Sequence, residues 1–295
     1  MANVIKKNNA INEAHFALAL NEYRVVLMGI YQARIKNLNP LTDRIRFHVS
    51  DFVKSYGLKE NNSNYHLALI ESTLSLKSKM LIIRRPDEIL KNKIKVTFAN
   101  WVSEVSYIEK TGFVEIMFSQ RVAEALMEED ARYTLYDLML LSKLPSFYAI
   151  RILEYAMQWR TIGKTQFFEI EDLKQRLGIG LSFPLSDGSM SVPEDKYTET
   201  KLFNRDVIGR AVAMLNKTIP DLNMAYETTK VGKRVHGGHF TFNKASEAIV
   251  RSKEAKKLLE DEALRNKMLE MGDDGATENE SDLPLDDDGL PQLGF

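Results

Sequence analysis

The chain has 295 residues, 44% of them hydrophobic, with no cysteine and a formal net charge of −1. That length allows two ordinary domains, while the missing cysteines exclude a disulfide framework and thiolate metal sites. No apolar run approaches a membrane span, and the polar, basic Met1 to Ala10 lead into no signal-peptide core, so a cytoplasmic location is expected.

Residues 11–36 read as a long amphipathic helix with Leu18, Tyr23, Val26, Leu27 and Ile30 on its apolar side, ended by Asn39-Pro40. Arg44 to Val49 alternates as a strand, and Ser50 is the candidate N-cap of a short helix that runs to Gly57. A helix over about Asn64 to Lys79 carries Leu67, Ile70, Leu74 and Leu76, and strands are predicted at Met80 to Arg84, Ile94 to Phe98 and Phe113 to Phe118. Near Leu141 to Ser146 the chain passes a joint, because Pro145 cannot continue a helix and Ser146 can cap the next one, Phe147 to Trp159.

The second half repeats this order. Gln166 to Ile170 reads as a strand, Glu171-Asp172 opens a short helix stopped at Gly178, and a loop with Pro184 and Pro193 follows. A helix then spans about Lys201 to Lys217. Phe203, Val207, Ile208, Ala211, Met214 and Leu215 share one face; Arg205, Asp206, Gly209, Arg210, Asn216 and Lys217 share the other. Gly209 is costly in a helix interior, and close approach of a DNA backbone is one reason to keep it. After Pro220, strands Leu222 to Thr228 and His239 to Phe242 flank a basic turn, Lys230 to Gly238. Strand, helix, helix and two-stranded wing make a winged helix-turn-helix, which puts one helix into a DNA groove and the wing on flanking phosphates.

Phe47-His48-Val49-Ser50-Asp51-Phe52 and the residues to Leu58 line up with Phe168-Glu169-Ile170-Glu171-Asp172-Leu173 and the residues to Ile179 at a constant offset of 121. The reading is therefore α+β, two tandem winged helices. Residues 1–144 form an N-terminal domain for dimerisation or DNA, and 145–250 a C-terminal DNA-binding domain. A charged helix at 251–270 and a disordered acidic tail at 271–295 follow. That tail holds eight acidic residues and no Lys or Arg, which leaves 40 basic against 33 acidic residues in a mildly basic body.

No enzyme site can be read. Gly163-Lys164-Thr165 resembles the end of a phosphate-binding loop, but position 158 is Gln where the earlier glycine is required. His236 and His239 have no third ligand nearby and lack the spacing of a rolling-circle nickase pair, so no metal and no cofactor are expected.

Several pieces in order resemble the iteron-binding plasmid replication initiators, the Rep family of RepE and pi type. These are Phe98-Ala99-Asn100-Trp101-Val102, Val114-Glu115-Ile116-Met117-Phe118, Ser146-Phe147-Tyr148-Ala149-Ile150-Arg151-Ile152-Leu153-Glu154, the stretch Phe167 to Gly178, Leu202-Phe203-Asn204-Arg205-Asp206-Val207-Ile208 and Gly232-Lys233-Arg234-Val235. The likeness runs from about Asn12 to Phe242, with a longer loop at Leu181 to Tyr197. It implies direct-repeat binding at a replication origin, the C-terminal winged helix making the stronger contacts. It also implies origin opening, autorepression by a homodimer in equilibrium with monomer, and host partners: initiator, replicative helicase, chaperones and sliding clamp. Carried onto this chain, Lys201, Asn204, Arg205, Arg210 and Lys217 are recognition-helix candidates and Lys230, Lys233 and Arg234 phosphate contacts. Asn64, His66, Lys77, Lys79, Arg84 and Arg85 are the first-domain candidates, and Trp101 and Tyr107 are assigned to the core. Gln292, Leu293 and Phe295 resemble clamp-docking peptides. A winged-helix transcriptional repressor and a protein-binding scaffold are the competing readings.

Overall fold

The computed structural model describes residues 4–58, 64–87, 89–127, 133–193 and 196–243; the charged helix at 251–270 and the tail with Gln292, Leu293 and Phe295 lie outside them. The sequence pattern over 11–36 does not give one helix. A strand β1 (Val4–Asn8) leads into a short helix α1 (Asn9–Glu13), whose first turn is closed by the Asn8 side chain accepting from the Ala10 N–H at 2.7 Å. A two-residue strand β2 (His15–Phe16) then precedes helix α2 (Leu20–Ile35). No proline or glycine lies at the break, residues 14–19. The break comes from β2 pairing with a strand far along the chain, a tertiary contact that overrides helix propensity.

Helix α2 is also not amphipathic. Every residue from Glu22 to Ala33 is buried, so it forms the centre of the first half rather than a surface helix. It stops before Asn39-Pro40 because Asn37 takes a left-handed conformation at φ 51, and the Leu38 N–H then bonds the Ala33 carbonyl at 2.8 Å.

Strand β3 (Ile45–His48) and helix α3 (Val49–Ser55) follow. The cap of α3 is His48, not Ser50: its ring Nδ1 accepts from the Ser50 N–H at 3.1 Å, and the Asp51 carboxylate accepts from the His48 N–H at 3.3 Å. Helix α4 (Asn64–Ser75) continues into a tight turn at Leu76–Ser78. Leu67 and Leu74 lie exposed on it, and Leu69, Thr73 and Leu76 face inward, a rotation of the stripe read from the sequence.

Strands β4 (Met80–Pro86) and β5 (Ile94–Asn100) form a hairpin beside β2, while β6 (Val102–Ile108) and β7 (Phe113–Phe118) form the wing, in the order β3-β7-β6. Strand β6 was absent from the predicted elements; a register shift between Val102 and Glu104 breaks its alternation. Helix α5 (Gln120–Met127), strand β8 (Tyr133–Asp137) paired with β1, and helix α6 (Leu138–Ser142) complete this half.

Helix α7 (Phe147–Gln158) follows, capped by the Ser146 hydroxyl accepting from the Ala149 N–H at 3.3 Å. The chain continues with β9 (Phe168–Glu169), α8 (Ile170–Arg176), a helical stretch over 200–218, and strands β10 (Ala225–Val231) and β11 (Arg234–Thr241) in the order β10-β11-β9, the second winged helix. Helices α3 and α8 start and stop at the same offset of 121, and each is followed by a glycine at positive φ, Gly57 at 58° and Gly178 at 82°. The tandem winged helix is thus observed, with α7 packed against α1 and β8 of the first half and against the 200–218 stretch. Among the described residues no helix is long and apolar enough to cross a membrane.

One buried polar cluster ties the elements around α7 together. The Glu154 carboxylate, fully buried, lies 2.5 Å from Lys7 Nζ and 2.8 Å from Arg151 Nη1, and accepts from the hydroxyls of Tyr23 and Tyr136 at 2.6 Å. Burial alone would raise its pKa, but Lys7 and Arg151 hold the carboxyl below the usual range. Burial brings the Lys7 pKa down to about 7 even beside Glu154, so Glu154→Ala would let Lys7 go neutral but leave the buried Arg151 guanidinium without its counter-charge; it should cost about 3–5 kcal/mol, measured by urea unfolding. A loss below 1 kcal/mol would show that the cluster is not a structural requirement.

Candidate nucleic-acid interface

The helical stretch 200–218 has three parts: helix α9 (Thr200–Phe203), a wide π-type turn (Asn204–Gly209) and helix α10 (Arg210–Thr218). Its apolar side is the one read from the sequence. Phe203, Val207, Ile208, Ala211 and Leu215 are buried, while Lys201, Arg205, Gly209, Arg210 and Lys217 are exposed. The wide turn gives Gly209 an internal role, since a Cβ there would come within 3.1 Å of the Asn204 carbonyl. Such turns recur at functional sites.

The wing differs from its sequence reading. Its strands reach to Val231 and from Arg234, so the turn holds only Gly232 and Lys233, and Leu222 sits in a separate short turn at Pro220–Leu222. His236, Gly237 and Gly238, assigned to the turn, are in strand β11. The glycines serve close packing there: a Cβ on Gly237 would collide with the Phe168 carbonyl oxygen across the β9 pairing. Asn216, read as part of the exposed polar face, instead tethers helix to wing. Its amide accepts from the Met224 N–H at 2.7 Å and donates to the Met224 carbonyl at 2.8 Å.

Between helix and wing lies an open groove of about 580 Å³, lined by Thr200, Lys201, Asn204, Arg205, Arg234 and Val235. The fold therefore brings together Lys201, Asn204, Arg205 and Arg234 from the predicted set. Asn204 is only partly exposed, and its side-chain oxygen is covered and without a hydrogen-bond partner. Arg210, 78% exposed, does not line the groove but reaches Asp206 beside Arg205; Lys230 and Lys233 are exposed on the wing, and Lys217 lies at the far end of the helix. Arg205 and Arg210 both reach the Asp206 carboxylate, at 2.8 and 3.3 Å. Bonding to Arg205 lowers the Asp206 pKa, so the acid is charged at neutral pH.

The first-domain candidates form no comparable set. Asn64 is the first residue of α4 and His66 is partly covered. Lys77 is exposed, but its Nζ donates to the Ser103 carbonyl; Lys79 lies 3.4 Å from Glu22 and Arg84 reaches Gln175 at 3.4 Å. Arg85 is partly covered on β4. Trp101 is buried, edge-on to Phe16 at 4.9 Å, as expected. Tyr107, also assigned to the core, is instead 44% exposed on β6, the edge strand of its sheet. His236 stacks on Phe167 and His239 bonds Glu227 at 3.0 Å; among the described residues no three His, Cys, Asp or Glu side chains gather to hold a metal.

This order of elements matches known proteins. Residues 4–157 match the family described as "Initiator Replication protein, WH1", and residues 188–242 match "Initiator Rep protein, WH2". The chain belongs to the initiator replication protein family. Among solved structures, this initiator is similar to the Pi initiator protein crystallised in complex with iteron DNA. The identity is 18% and the TM-score 0.61, covering 83% of this chain and 98% of that one, a likeness of fold. Weaker likenesses reach the WH1 domain of MSBI1.176, a replication protein isolated from a multiple sclerosis patient, at 23% identity and TM-score 0.30 over 38% of this chain and 87% of that one. Domains 2 and 3 of RctB follow at 9% identity and TM-score 0.41 over 81% and 85%. Neither of these two bears on function. No curated protein matches the chain.

Asn216→Ala would leave the Met224 backbone groups unpaired and should cost about 1–3 kcal/mol in urea unfolding. A neutral result would show that the helix and wing are held by the apolar core alone.

Proposed function

We propose that the chain is a plasmid replication initiator that binds direct repeats at its origin. The observation that carries this reading is the groove between helix 200–218 and the β10–β11 wing, where Lys201, Arg205 and Arg234 converge. Membership of the initiator family supports it, as does the fold shared with a Pi initiator that was crystallised on iteron DNA. In this reading residues 145–250 supply the stronger contacts. Arg205 and Arg210, with Lys201 and Asn204, face base edges, and Lys230, Lys233 and Arg234 lie on phosphates, with Lys217 following the strand. Residues 1–144 add weaker contacts from the Asn64 to Arg85 region, or form the homodimer that represses the protein's own gene. Several protomers on adjacent repeats bend the duplex and open the origin, the deformation energy coming from phosphate contacts. The acidic C-terminal segment, ending in Gln292, Leu293 and Phe295, recruits host replication proteins, and no catalytic step is required of the chain itself.

Two substitutions separate the contact types. Arg205→Ala should cost about 1–3 kcal/mol on repeat DNA and little on a scrambled duplex. Lys233→Ala should weaken both duplexes alike and lower the salt slope by about one unit. Anisotropy titrations across a salt series read both effects. Equal losses on both duplexes for both variants would defeat this assignment of roles.

A further inference from the structure

The recognition face of helix 200–218 carries an acid between its two arginines. Asp206 is 18% exposed, set low between Arg205 at 66% and Arg210 at 78%. Its Oδ1 accepts from Arg205 Nε at 3.0 Å and its Oδ2 from Arg205 Nη2 at 2.8 Å, a two-point bond, while Arg210 Nη2 approaches Oδ1 at 3.3 Å. Neighbours in sequence do not normally face one another on a helix. Here the pair falls inside the wide turn 204–209, and the Arg205 fork folds back onto the adjacent carboxylate.

A carboxylate on a surface that must meet phosphates lowers affinity for every duplex, by like-charge repulsion. Its placement makes sense as a means of selectivity. A guanidinium has five N–H donors. The Asp206 bond occupies Nε and one hydrogen of Nη2, which leaves the outer edge, Nη1 with the second hydrogen of Nη2, turned away from the carboxylate. That remaining edge is a two-point fork of the kind that matches guanine O6 and N7. An arginine already held in place also loses less rotamer freedom on binding, so more of the base contact is realised as affinity.

We propose that Asp206 is a specificity-determining positioning residue: it presets Arg205, with Arg210 beside it, to read a guanine edge, and it penalises duplexes that offer only phosphates. The inference rests on the DNA-binding reading above and adds the base class and the residue that enforces it.

The test uses the full chain, anisotropy titration, and two duplexes: the direct repeat beside the gene and a scrambled control. Wild type is compared with Asp206→Asn, Arg205→Ala and the double variant, with melting midpoints recorded to show that each is folded. Asp206→Asn should bind the scrambled duplex more tightly and the repeat no more tightly, so the affinity ratio falls roughly tenfold, the scale of one good base contact. The double variant should show no selectivity loss beyond that of Arg205→Ala, the mark of one residue acting through another. An unchanged ratio in Asp206→Asn, or losses that add independently, would overturn the proposal while leaving the DNA-binding reading intact. If Arg205→Ala itself leaves the ratio unchanged, the reading of this helix fails and the role of Asp206 with it.

Discussion

The fold depends on a charge that has no access to water. Glu154 on α7 gathers Lys7 from β1, Tyr23 from α2, Tyr136 from β8 and Arg151 from its own helix, all buried. Arg151 then extends the network to the carbonyls of Asn12 and Ala14 and to the Tyr155 hydroxyl. Each buried ion here is tolerable only while its partners stay in place, because the desolvation cost of either charge alone exceeds any single hydrogen bond. Such a cluster contributes little net stability compared with an apolar core, yet it admits few alternative packings. It fixes α7 against β1, α1, α2 and β8.

From that junction the second winged helix is held by a chain of contacts. Arg176 on α8 donates to the Glu13 carbonyl at 3.2 Å and to Asp172 at 2.6 Å, and Asp172 lies 3.4 Å from buried His15 on β2. Although burial opposes it, bonding to His15 and Arg176 brings the Asp172 pKa down to about 2, so the acid keeps its charge across the physiological range. Helix α8 is thereby set against β2, and it also packs on β9 and β11 of the wing sheet.

The parts legible in the sequence were those with local causes. Helices α3 and α8 end where Gly57 and Gly178 take the left-handed conformation, and the apolar stripe of helix 200–218 follows from its period. What was not legible depends on residues distant in the chain. The break between α1 and α2 comes from β2 pairing with β4, sixty-odd residues away. Gly237 and Gly238 of the wing looked like a turn but accommodate the Phe168 and Glu227 carbonyls, and Asn216 looked exposed until Met224 came to meet it. In the site, Lys201, Arg205 and Arg234 could be picked out as cations at plausible positions. The engagement of Lys77 and Lys79 with Ser103 and Glu22 could not, since their partners lie in other elements.

Binding of the intact chain to a duplex carrying candidate direct repeats from beside its gene, against a scrambled duplex and over a series of salt concentrations, is the most direct test. Repeat-selective binding by the monomer that weakens steeply with salt is the predicted result. Selective binding only by a dimer on an inverted site would point to a repressor instead. Equal, weak binding to both duplexes would contradict the account.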